Sequence, residues 1–178
     1  MSPTPTGRLF GDDLVLTRTF RAPIADVWAS LTDPERTARW FGAWEGDAAP
    51  GRTIKVQMMH EEGKPWMDMT IDACEPPTHL ALSAADEAGG WHMDMVLVER
   101  AGVTELRFTH HLTGVYGVGE VGPGWEFYLD ALVASRDGQP APDFNDYYPA
   151  MKEHFEAQAG PVTEAGPDEQ SGSGQATA

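Results

Sequence analysis

Four side chains in this 178-residue chain are of reactive types and fall in ordered apolar patterns: His110, His60, Arg18 and Cys74. Leu106, Phe108, His110 and Leu112 alternate with Glu105, Arg107, Thr109 and His111, which places His110 on the apolar face of a strand. A histidine there can hold a ligand's polar group or exchange protons near neutral pH. The preferred reading is a structural residue, which needs one hydrogen-bond partner, whereas catalysis needs a second positioned group. No such group has a spacing signature, so no residue is assigned as catalytic and His110 is only a weak candidate. His60 runs in phase with Ile54, Val56 and Met58; it can line a pocket mouth or be a half-exposed strand-end histidine, and the second reading is preferred. Arg18 shares the face of Leu14, Leu16 and Phe20; it can bind a carboxylate inside or snorkel outwards, and the outward reading is preferred. Cys74 precedes a Pro-Pro turn, has no identifiable histidine partner and reads as an inert small residue. Adjacent strand residues His110 and His111 point to opposite faces, and His60-Glu61-Glu62 runs into a turn. No metal site is expected. Nucleotide, dinucleotide, esterase-elbow and zinc-protease motifs are missing, so no cofactor is expected.

The larger signal is apolar. Trp40, Met58, Met67, Met69, Met93, Met95, Phe108, Trp125 and Tyr128, with His60 and His110, are the expected lining of a pocket. Methionines in phase on neighbouring strands suit an adaptable apolar site. The elements that must carry them are legible. Residues 14–20 form a strand. Pro23 fits a first helical turn before Ile24, Val27, Trp28 and Leu31, and Asp33 with Pro34 restarts a short helix that Gly42 can end. Alternating segments follow at 54–60, 67–73, 79–83, 93–98 and 105–112, with Met67, Met69, Ile71 and Ala73 on one face. Gly122-Pro123-Gly124 is expected to precede an amphipathic helix over 125–135. A Pro-rich link with Pro140 and Pro142 leads to a last helix near 149–158. A half-wet antiparallel sheet covered by one long helix is an α+β solution. When the sheet curves strongly, it leaves apolar volume under the helix.

Composition narrows the function. With 12 basic and 28 acidic residues the formal charge is −16. Such a chain repels phosphate backbones and anionic lipid, so nucleic-acid partners are not expected. No apolar run approaches the roughly 20 residues of a membrane helix, and no membrane insertion is expected. The first residues lack the basic and apolar regions of a secretory signal, and the expected location is the cytoplasm. Residues 1–8 and 161–178 are poor in large apolar groups and are expected to be disordered. They flank one domain at 9–160, with an extension from about 139.

Four stretches resemble a known family: residues 22–42, with Pro23, Trp28, Pro34, Trp40 and Gly42; residues 73–80, with Pro76 and Pro77; residues 105–110; and residues 124–132, with Trp125, Tyr128 and Leu132. Their order and spacing resemble the bacterial homologues of the activator of heat-shock-protein ATPase. That family lies in the START-like, Bet v-type (SRPBCC) superfamily of polyketide cyclases and lipid carriers. The resemblance covers about residues 12–136. It implies a helix-grip fold, a curved antiparallel sheet wrapped around a long C-terminal helix, with two short helices after the first strand. It implies a cavity for a small hydrophobic molecule. Three functions stay open: a non-enzymatic ligand-binding module, which is favoured; a cyclase or hydrolase using a cavity histidine; and a domain that contacts a chaperone.

Overall fold

The computed structural model describes residues 2–86, 89–112 and 117–159. Eight strands form one antiparallel sheet: β1 (Arg8–Phe10), β2 (Asp13–Phe20), β3 (Trp44–Glu45), β4 (Thr53–Gln57), β5 (Trp66–Glu75), β6 (His79–Asp86), β7 (Gly89–Arg100) and β8 (Val103–Leu112). The helices are α1 (Ile24–Thr32), α2 (Pro34–Thr37), α3 (Val118–Arg136) and α4 (Lys152–Ala159). The strand order is β1-β2-β8-β7-β6-β5-β4-β3. From β3 to β8 the sheet is a meander. Then β2 pairs with β8 along its whole length, Asp13 opposite His111 and Phe20 opposite Thr104.

Alternation sets the faces. On β8 every second residue from Thr104 to His110 is buried. On β2, Leu14 and Leu16 are buried beside them. Leu129 and Leu132 of α3 close the core over this inner face. This is the helix-grip architecture, with α1 and α2 following the strand at 13–20 and one further short strand, β1, ahead of it.

Three local expectations are corrected. First, α3 begins at Val118, not Trp125, and runs through Gly122-Pro123-Gly124. Those residues are poor helix formers, so packing overrides propensity here. The reason is α4: Phe155, 0% exposed, lies where a Cβ on Gly122 would collide with its ring, and Gly7 touches the same ring. Second, the N-terminal segment is tied down at its inner end. The Thr6 and Gly7 amides and the Thr6 hydroxyl donate to the Glu126 carboxylate. Third, a register shift in β5 between Ile71 and Ala73 reverses the phase. Past this bulge Cys74 faces the interior in place of Ala73. The expected disordered tail, 161–178, lies outside the described residues.

Arg18 does not reach water as preferred above. Its guanidinium bonds Glu126 at 2.7 Å and Asp130 at 2.8 Å, both on α3. Glu126 is 1% exposed and is satisfied by these donors together. Tyr147 donates to the other Asp130 oxygen at 2.8 Å. One polar cluster thus joins the N-terminal segment, β2, α3 and the extension.

Candidate ligand-binding site

The last turn of α1 leaves carbonyls without helical partners. Two indoles satisfy them: Trp40 Nε1 donates to Ser30 at 2.9 Å and Trp44 Nε1 to Thr32 at 3.0 Å. These bonds hold both rings against the sheet. Gly42 lies against the Gln57 carbonyl, where a Cβ would collide, and this close approach brings Phe41 inwards. At the far end, Arg136 of α3 binds Asp26 of α1 at 2.6 Å and closes the grip.

Two adjoining chambers, each partly open at the surface, lie between the sheet and the helices. The inner one holds about 150 Å³ and is almost wholly apolar. Trp40, Ile54, Met95, Phe108 and Leu129 line it, with Cys74 at one side. The outer one holds about 680 Å³ and is bounded by Met58, His60, Met67, Trp91, Phe127 and Tyr128. Phe41, Met69, Met93 and Trp125 line both and form the shared wall. The outer mouth carries the carboxylates of Glu61, Glu120 and Asp143.

Ten of the eleven expected lining residues therefore face one chamber or both. His110 does not. It is buried behind the wall, where its Nδ1 accepts a 3.1 Å hydrogen bond from Trp125 Nε1 and its ring stacks on Trp91 at 4.9 Å. An accepting Nδ1 requires a neutral imidazole with its proton on Nε2. Burial, with the charges of His111 and His92 adding, lowers its pKa to about 4. His110 thus orients two rings of the pocket wall.

His60 sits in the turn after β4, not on the strand. Its Nε2 donates to the Trp40 carbonyl at 3.1 Å, and its ring meets Phe127 and Tyr128 edge-on. Burial lowers its pKa. The Tyr128 hydroxyl donates weakly to Glu61 at 3.3 Å, and burial followed by the Glu61 charge raises its pKa. No group of three or more His, Cys, Asp or Glu among the described residues is arranged to hold a metal ion. Sequence reading missed Phe41, Trp91, Cys74, Phe127 and Phe144. Trp91 was findable, being in phase with Met93 and Met95. Cys74 was hidden by the bulge.

A model of the family described as Activator of Hsp90 ATPase homolog 1-like protein matches residues 21–135. The chain belongs to this family. It is thereby a START-like, SRPBCC protein. CalU16 from Micromonospora echinospora is similar in structure, with a TM-score of 0.70 and 26% identity over 89% of this chain and 97% of that one. So is the protein encoded by gene BPP1335 of Bordetella parapertussis, with a TM-score of 0.69 and 28% identity over 89% and 94%. DynU16, from the dynemicin biosynthetic locus, shares the fold at a TM-score of 0.63 and 24% identity, over 75% of this chain and 50% of that one. Comparison with curated proteins gives no match. No helix among the described residues is long and apolar enough to cross a membrane.

Proposed function

We propose that this START-like protein binds one small hydrophobic molecule in the two-chamber cavity between the sheet and α3. The observation that carries the reading is the volume itself. Unfilled volume lined by apolar side chains is uncommon in close-packed proteins and is the usual mark of a small-molecule site. The outer chamber, about 680 Å³, is of the scale of small-molecule sites. Its lining of methionines and rings adapts to apolar shapes, and the chamber mouth supplies the polar groups. The cyclase or hydrolase reading loses support because His110, its candidate base, lies behind Trp125 and accepts the indole proton. The chaperone-contact reading draws on the family description alone.

The test is titration of the native protein with N-phenyl-1-naphthylamine, a neutral fluorophore. Saturable binding at one site is expected. Met93→Trp, which pushes a ring into both chambers, should weaken it at little cost in stability, since the space is empty. A probe that never saturates, together with a large stability loss in Met93→Trp, would show a filled core and end the ligand reading.

A further inference from the structure

The two chambers differ in what they can hold. An apolar cavity of about 150 Å³ accepts a benzene-sized guest. The inner chamber, of that volume, therefore takes a single ring or a short alkyl arm. A longer guest can continue along the shared lining of Phe41, Met69, Met93 and Trp125 into the outer chamber.

The outer chamber is completed by a segment beyond the family match, which ends at residue 135. Pro142, Asp143 and Phe144 line it. They lie between two anchors. Upstream, α3 ends at Arg136 and Gln139 bonds back to the Ala134 carbonyl. Downstream, Tyr147 is buried and bonded to Asp130, and Phe155 fills its slot against Gly122. Asp143 caps the turn Phe144–Asp146 by accepting from the Asn145 amide at 2.9 Å. This cap holds Phe144 in place. Its ring meets Phe127 edge-on at 5.5 Å and stacks with Tyr148 at 6.2 Å, yet 44% of the residue remains exposed. A fixed, half-exposed ring at the rim of an apolar chamber is an unfilled contact.

We infer that Phe144 is a specificity-determining residue of this site, a lip that rests on the outer part of the ligand. The ligand class follows: an elongated apolar molecule, one ring or alkyl arm inside and the remainder under Phe144, in preference to a compact one. The inference rests on the ligand-binding reading and adds to it a length selection supplied by the extension.

Calorimetric titrations with toluene, which fits the inner chamber, and with 4-hexylphenol, which can span both, test it. The wild-type protein should bind both. Phe144→Ala should weaken 4-hexylphenol about two- to ten-fold, the scale of one aromatic contact, and leave toluene unchanged. Phe144→Tyr should restore the difference, which separates ring contact from general damage. Equal weakening of both ligands by Phe144→Ala, or no change in either, would overturn the lip. A wild-type protein that binds neither would sink the cavity reading itself, and the lip with it. Phe144 is half-exposed, so these variants are expected to fold; a native melting profile for each confirms it.

Discussion

His110 and His111 are neighbours in sequence and opposites in physics. His110 faces inwards, is buried and stays neutral. His111 faces out, with Nδ1 donating to Asp13 at 2.6 Å and Nε2 to Asp94 at 2.7 Å. Both ring nitrogens donate, so His111 is an imidazolium, and the hydrogen bonds to Asp94 and Asp13 raise its pKa. The Asp94 pKa ends below the usual carboxylate range because bonds to His79 and His111 outweigh the opposing effect of burial. The pH dependences have opposite signs. For His110 the unfolded chain binds the extra proton, so stability falls as pH drops from about 6.5 towards 4. For His111 the folded chain binds it, so its contribution is complete below about pH 6.5 and fades as pH rises through the raised folded value. The first prediction is that His110→Phe costs about 1–3 kcal/mol, because the Trp125 N–H loses its acceptor, and flattens the melting temperature between pH 6.5 and 4. The second is that His111→Asn flattens the decline above pH 6.5 instead. Its effect should stay below about 1 kcal/mol, since His111 is 41% exposed and solvent screens the pair. Thermal melts across pH check both.

At the scale of elements, alternation and caps were legible. Asp33 accepts from the Glu35 and Arg36 amides as its type and position implied. The inward phase of Met93, Met95 and Phe108 followed from period two alone. What was not legible depended on contacts far apart in the chain. The Gly122-Pro123-Gly124 run reads as a break, and only the arrival of Phe155 makes its missing side chains an advantage. The bulge in β5 has no residue signature and turns Cys74 inwards. Arg18 and Glu126, 108 residues apart, pair only after folding. The glycine slot gives the third prediction. Gly122→Ala should destabilise by about 1–3 kcal/mol through overpacking, although alanine is the better helix former. Phe155→Ala should cost about 3–5 kcal/mol. Because both changes act on one contact, the double variant should lose less than their sum. Chemical denaturation of the two single variants and the double one measures this coupling.

For the whole molecule, a net charge of −16 on 178 residues sets a background of self-repulsion. Salt should relieve it. The fourth prediction is that the melting temperature rises between about 10 mM and about 500 mM sodium chloride, as the screening length shrinks to a few ångströms. A flat response would mean that the ion pairs on α3 and the sheet, which salt weakens, balance the repulsion. The closure of β2 onto β8 has a consequence in time. Asp13 and His111 lie 98 residues apart in sequence. At a translation rate of about 5–20 residues per second, β2 waits about 5–20 s for its partner strand to be made. During that interval Leu14 and Leu16 have no sheet to bury them. Pairing across so long a loop is also slow in refolding, on the millisecond-to-second scale of chains dominated by distant contacts. The nascent chain is therefore at its stickiest while β8 is still inside the ribosome.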